Sequence, residues 1–193
     1  MRELDPIARE NIEEAIRGIL SELGYDVTDQ HFERTPERAR KMLESFLANG
    51  HDDEGAALLE AQFDDEHDSV VIVGPSRVTS MCAHHMLPVT GWAWVGYLPN
   101  KKVVGLSKLA RIVHHYARQF TVQERVTQQV ANILERELEP LGVMVVIEAE
   151  HGCMSLRGVQ EPCAETVTSA VRGVFREDAA ARAEFLALRK PVQ

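Results

Sequence analysis

The chain is short of cysteine, of long apolar runs and of basic residues, and each shortage excludes something. Three cysteines in 193 residues make an odd count with no framework spacing. A disulfide scaffold is therefore excluded in favour of metal ligands or free thiols in a reducing compartment. No apolar stretch approaches the roughly 20 residues of a membrane span. The opening MRELDPIARE is charged and lacks a signal-peptide apolar region, so a cytoplasmic protein with no membrane partner is expected. Lys and Arg number 21 against 30 Asp and Glu, a formal net charge of −9. That balance argues against a nucleic-acid polymer as partner, because such binding needs an extended basic surface. A small phosphorylated ligand stays open, since a local cluster of cations can hold one on an acidic protein. Several catalytic templates are also missing. There is no P-loop, no G-x-G-x-x-G after a strand, no zinc-deaminase pair of H-x-E with P-C-x-x-C, and no G-x-S-x-G elbow.

What is present is a pair of short Cys-His clusters. Cys82 and His85 are spaced C-x-x-H, and far downstream comes His151-Gly152-Cys153. The first spacing lets a thiolate and an imidazole from one tight turn reach a single ion, and Cys153 can close the site. Two sulfurs and one nitrogen suit zinc, and three protein ligands leave the fourth tetrahedral position open for water. Each cluster also carries a spare imidazole, His84 and His151. A bound water flanked by two imidazoles is a device for hydrolysis. The opposing reading is that cysteine is often a small buried hydrophobe.

Asp5-Pro6 reads as a helix cap followed by proline, with Ile12, Ile16, Ile19 and Leu23 at helical spacing and Gly24 as the stop. A second helix is expected from Thr35-Pro36, with Thr35 as cap and Ala39, Met42, Leu43 and Phe46 buried. Arg38 and Lys41 share one flank of it, and on spacing alone they are two solvated charges. From His51 to Ser69 there are eight acidic residues and no Lys or Arg. This reads as a solvated connection, with a short helix around Ala56–Gln62, that divides residues 1–68 from 69–193. Strand pieces follow at Val70–Val73 and Arg77–Met81. A strand at Val89–Leu98 has Trp92, Trp94 and Gly96 on one face, and Val103–Leu106 is expected to pair back on it as a hairpin. Two helices come next, one capped by Ser107, the other holding Val122, Val126, Val130, Ile133 and Leu134. Val143–Ala149, Cys153–Val159 and Thr166–Val174 are expected as strands. Asp178 should cap a last helix with Phe185, Leu186 and Leu188 inside. The order gives α+β, an antiparallel sheet with two helices packed on one face, preceded by N-terminal helices.

Cations and a carboxylate stand where a nucleotide could use them. Ser107-Lys108 opens a helix, whose N-terminus suits phosphate, and Lys108 and Arg111 can flank one anion. Arg157 lies four residues past Cys153, and its guanidinium can grip phosphate with two bonds. Gln123-Glu124 begins the next helix. Glu124 would favour that first turn in any case, but its carboxylate can also accept two N–H bonds from a guanine edge. His114-His115 reads as one packed and one wet histidine, and Cys163 as a bystander.

These runs in order resemble the GTP cyclohydrolase I family: Thr79–His85 (TSMCAHH), Gly105–Val113 (GLSKLARIV), Val122–Arg125 (VQER) and His151–Cys153 with Arg157-Gly158. Thr35–Arg38 and Gly173–Asp178 are similar as well. The resemblance implies the tunnelling fold, in residues 69–193 as the catalytic domain, with sheets of several subunits joined into a barrel. It implies a homo-oligomer, usually decameric, with sites at subunit interfaces. The implied reaction converts GTP and water to 7,8-dihydroneopterin triphosphate and formate. By the same resemblance Cys82, His85 and Cys153 hold Zn2+, His84 and His151 are catalytic, and Glu124, beside Gln123, holds the guanine. Ser107, Lys108, Arg111, Arg157, Arg38 and Lys41 then meet the triphosphate or its surroundings. One departure is Ala83, where the family commonly has Glu, so any support from that carboxylate is missing. A relative of the same fold acting on another purine, or a non-catalytic subunit with a structural zinc, are the competing expectations.

Overall fold

A computed structural model describes residues 3–46 and 52–190. His51, where the acidic stretch begins, lies outside the described residues. The chain divides into two compact units, residues 1–48 and 49–193.

In the first unit α1 (Pro6–Glu22) is capped by Asp5, whose carboxylate accepts from Ala8 N–H at 2.8 Å. Gly24 ends it at φ +85°, a backbone region that glycine enters without penalty. α2 (Thr35–Glu44) starts one residue earlier than expected: Arg34 is the cap residue, and Thr35 is already helical. Met42, expected inside, is 43% exposed, while Pro36 and Arg40, the latter at 7%, are buried. Arg40 donates to Glu13 at 2.6 Å and to Glu44, and Arg9 reaches Glu44 at 2.9 Å. A buried cation is tolerated here because two carboxylates answer it. This network ties α1 to α2.

The second unit begins with α3 (Asp52–Leu59) and β1 (Gln62–Asp64). The acidic stretch is thus more than a solvated connection: Leu59 is wholly buried. β2 (Val71–Cys82) is one long strand, with a register shift between Val73 and Ser76. That bulge absorbs Pro75, which has no N–H for the ladder, so the two expected pieces are continuous. β3 (Pro88–Leu98) pairs antiparallel with it. β4 (Lys102–Val104) does not fold back on β3 as a hairpin; it pairs with β1, Asp64 opposite Lys102. Opposite charges across a ladder favour that partner. The Val104 N–H is instead caught by the Tyr97 hydroxyl at 3.1 Å.

α4 (Leu106–Ala117), β5 (Phe120–Thr121) and α5 (Gln123–Leu138) follow, then β6 (Gly142–His151) and α6 (Gly152–Ser155). Last come β7 (Glu165–Gly173), α7 (Val174–Glu177) and α8 (Ala179–Leu188). The main sheet runs β5-β2-β3-β6-β7, antiparallel except for the short parallel pairing of β5 with β2. α4 and α5 cover one face. Leu109, Ile112, Tyr116, Val130 and Leu134 meet Ala93, Val95, Tyr97, Val145 and Ile147 there. Each large side chain removed from water contributes about 1.5–3 kcal/mol. The alternation read in β3 holds, since Trp94 faces the other way.

Three expectations about the C-terminal part are corrected. Helices are not confined to one face: Phe175 and Phe185, from α7 and α8, pack with Trp94, Met144 and Val146 on the opposite side. Leu186 and Leu188 are 48% and 53% exposed, because a ten-residue helix lying on a sheet buries one narrow stripe. Asp178 does cap α8, accepting from Ala180 N–H at 2.7 Å. Residues 153–159 are not a strand. Cys153 sits in α6, and an irregular segment leads to β7.

Candidate metal centre and active site

Cys82 is the last residue of β2 and 5% exposed. The turn after it is held at both ends. Cys82 N–H donates to Leu87 O at 2.8 Å, Met86 N–H to Cys82 O at 2.9 Å, and Ala83 N–H to Thr121 O at 3.1 Å. Met86 takes a left-handed conformation, φ 56°, which closes the turn and throws His85 back. His85 Nδ1 then lies 3.9 Å from Cys82 Sγ. Across the sheet, Val89 of β3 is opposite His151 of β6. The chain leaves β6 at Gly152, where an added Cβ would stand 3.0 Å from Pro88 O. That close approach brings Cys153 to the turn. One ligand atom from each of Cys82, His85 and Cys153 can be chosen so that all lie within 4.8 Å of one another.

This donor set fits zinc. With Zn–S near 2.3 Å and Zn–N near 2.0–2.1 Å, a tetrahedral ion would put sulfur and nitrogen about 3.6 Å apart. The 3.9 Å found for Cys82 and His85 needs only a small contraction. All three cysteines are free thiols. Burial, and then the neighbouring Cys82, push the Cys153 thiol above its ordinary range. Two thiols this close disfavour a second negative charge unless a cation joins them.

A cavity of about 240 Å3 opens beside these ligands. Cys82, Cys153, His84, His151, Gln123 and Glu124 line it, with Thr121, Val122, Met154 and Thr166. Nothing in the sequence marked Thr166, which reaches the cavity only through the pairing of β7 with β6. A larger cavity, about 600 Å3, lies among Asp64–Asp68 and Lys101, away from the sulfur ligands. The smaller one is the better candidate because ligating and proton-carrying groups converge on it.

His84 is exposed, its ring edge-on to His85 at 6.3 Å between centroids. His151 is half-buried, and burial lowers its pKa while the Glu124 charge works the other way. Glu124 is exposed in the first turn of α5. Gln123 is only 3% exposed, and its side-chain amide is directed inward to His151 and the β6–β7 backbone. Arg157 Nη1 donates to His85 Nε2 at 2.8 Å, so Nδ1 is the atom that faces Cys82.

The remaining cations are more scattered. Ser107, Lys108 and Arg111 stand in the first turns of α4, and none lines the cavity beside Cys82. Ser107 is not the cap; Gly105 holds that position without a side-chain bond, since Leu106 is already helical. Arg38 and Lys41 are exposed on α2 of the first unit, where Lys41 pairs with Glu37. Cys163 is exposed.

Comparison with known proteins adds an independent line. A family model described as GTP cyclohydrolase I matches residues 12–190. A Gloeobacter violaceus protein named GTP cyclohydrolase 1 is 50% identical over 186 residues, 96% of this chain and 84% of that protein. The Desulforamulus reducens protein of the same name is 48% identical over 92% of this chain and 95% of its own length. The Rattus norvegicus one is 48% identical over 92% of this chain and 74% of its own. Among solved structures, the apo form of an archaeosine synthase QueF-Like protein overlaps 54% of this chain and 94% of its own, with TM-score 0.45 and 17% identity. No helix among the described residues is long and apolar enough to cross a membrane.

Proposed function

This chain belongs to the GTP cyclohydrolase I family, and from that premise we propose that it converts GTP and water to 7,8-dihydroneopterin triphosphate and formate, the entry to pterin synthesis. The observation that carries the reading is the convergence of Cys82, His85 and Cys153 beside a cavity that His84, His151 and Glu124 also line. Zn2+ held by those three ligands would supply a water acidified from 15.7 to about 7, a nucleophile at neutral pH. Glu124 accepts the N–H groups of the guanine edge and so sets the base in the cavity. His151 takes a proton from the adding water and passes it to the imidazole-ring nitrogen as C8 is attacked and the ring opens. His84 shuttles protons while the ribose opens, rearranges and closes as a pterin. Positioned acid–base groups of this kind contribute about 10²–10⁴-fold each.

Ser107, Lys108, Arg111 and Arg157 hold the triphosphate, with Arg38 and Lys41 contributing from their own or a neighbouring copy. A cation on Nδ1 of His85 leaves hydrogen on Nε2, which releases Arg157 for phosphate. The reading includes the tunnelling fold, with sheets of neighbouring copies closing a barrel in a homo-oligomer, decameric as in the family, and a cytoplasmic location. The test is incubation with GTP, then oxidation and pterin fluorescence, with and without a chelator. Chelator-sensitive fluorescence is expected, with formate release lost in His151→Ala and His84→Ala. No pterin from metal-replete protein, or near-normal formate release in both variants, would remove the scheme.

A further inference from the structure

Gln123 stands at the cavity yet is buried, and its hydrogen bonds can run in only one direction. Its side-chain Nε2 lies 3.0 Å from Ile147 O and 2.9 Å from Thr166 O. Backbone carbonyls can only accept, so the amide NH2 must face them. Oε1 is thereby turned to His151 Nε2, 2.9 Å away. An amide oxygen can only accept as well, so the hydrogen of this bond belongs to the imidazole.

The hydroxyls behind the amide agree. Thr127 Oγ1 donates to Gln123 O at 2.9 Å. Its contact with Thr168 Oγ1 at 2.7 Å must then be donated by Thr168. Thr168 Oγ1, 3.1 Å from Gln123 Nε2, then shares one of the two amide hydrogens as an acceptor. Flipping the amide would set an oxygen against two carbonyl oxygens in a site where Gln123 and Thr127 are 3% and 1% exposed, and buried polar mismatches of that sort cost about 1–3 kcal/mol each.

On the cyclohydrolase reading above, we propose that Gln123 is a positioning residue: it locks His151 as the Nε2–H tautomer and leaves Nδ1 as the ring's one proton acceptor. Gln123 is then no substrate ligand. Its amide has no group left for a nucleobase, and guanine recognition falls to Glu124. The tautomer of a histidine is set by the bond its other nitrogen makes. Here that bond is anchored through the amide on Ile147 O and Thr166 O, so turning the ring over forfeits the Gln123 bond and the amide cannot follow without facing its oxygen to two carbonyls.

Solid-state 15N spectra of zinc-loaded protein labelled at histidine test this directly. The signals that disappear in His151→Phe should be those of a protonated Nε2 and a bare Nδ1. A protonated Nδ1 with a bare Nε2 would overturn the proposal, and the reading needs no catalytic activity from the His151→Phe variant. In Gln123→Met, at unchanged zinc content, kcat should fall about 10²-fold, the low end for a displaced acid–base group. KM should stay within about threefold, since no substrate contact is lost. A rise in KM with kcat preserved would make Gln123 a substrate ligand instead. Wild-type protein that makes no pterin would sink the proposed function, while the spectrum would still decide the tautomer.

Discussion

Replacing Cys153 with alanine removes one of two sulfurs from the Cys82–His85–Cys153 cluster and leaves the other two ligands on their turn. The remaining pair is held by backbone bonds that do not involve Cys153, the Cys82–Leu87 and Met86–Cys82 pairs among them. The variant should therefore fold and bind zinc weakly. Structural zinc sites with four protein ligands are worth about 10–16 kcal/mol at neutral pH, so one ligand accounts for about 2.5–4 kcal/mol. At 1.4 kcal/mol per tenfold, affinity should drop by about 10²–10³. The pre-set 3.9 Å separation of Cys82 and His85 means little reorganisation energy offsets that loss. Competition against a chromophoric chelator at fixed pH, with metal content measured after dialysis, gives the number. Equal zinc stoichiometry and affinity in Cys153→Ala and wild type would show that Cys153 is no ligand, and the three-ligand centre would go with it.

Gly91→Ala should be among the most damaging single methyl additions to the sheet. The new Cβ would lie 2.0 Å from Glu148 O, a backbone atom that cannot step aside. A loss of about 3 kcal/mol, the upper range for overpacking, is expected in thermal unfolding, with weaker activity because Val89, two residues away, aligns His151. Tyr97→Phe strands the Val104 N–H, whose residue is 4% exposed; a cost of about 1–3 kcal/mol should appear as a lower urea midpoint at fixed protein concentration. Glu37 is held from 4.5 down to about 2, first by Lys41 and then by Arg34. Its folded-state pKa is the lower one, so its stabilisation is complete above the unfolded value and fades as pH falls towards about 2. In Glu37→Gln an acid titration followed by circular dichroism should lose that part of its slope, and an unchanged profile would contradict the pairing.

Much of the site was legible because its chemistry is local. C-x-x-H around Cys82 is a turn in sequence and a turn in space, and the second Cys-His cluster announces itself by composition. Asp5 and Asp178 read as caps and are caps, since a capping bond spans two or three residues. Contacts set by pairing partners were harder. Val103 has the right pattern for a hairpin with β3, yet its partner is Phe63, and only the charges on that ladder hinted at it. Residues 153–159 alternate well enough for a strand, but β6 ends at His151 and turns at Gly152. The inward amide of Gln123 could not be read at all. Its acceptors are Ile147 and Thr166, 24 and 43 positions away, and a glutamine at the start of a helix looks solvent-facing until the sheet beneath it is known.

β5 is two residues long, Phe120 and Thr121, set in parallel beside Met81 and Cys82. Three positions beyond Thr121 comes Glu124. On the proposed reading, the span from the ion-binding sulfur of Cys82 to the base-reading carboxylate of Glu124 is therefore a ruler made of one strand pairing and three peptide links. Lengthening it by one residue between Thr121 and Gln123 would leave both ends chemically intact and put them out of step, so an enzyme retuned for a purine of different size would have to change its side chains at the far end of that ruler and leave its length alone.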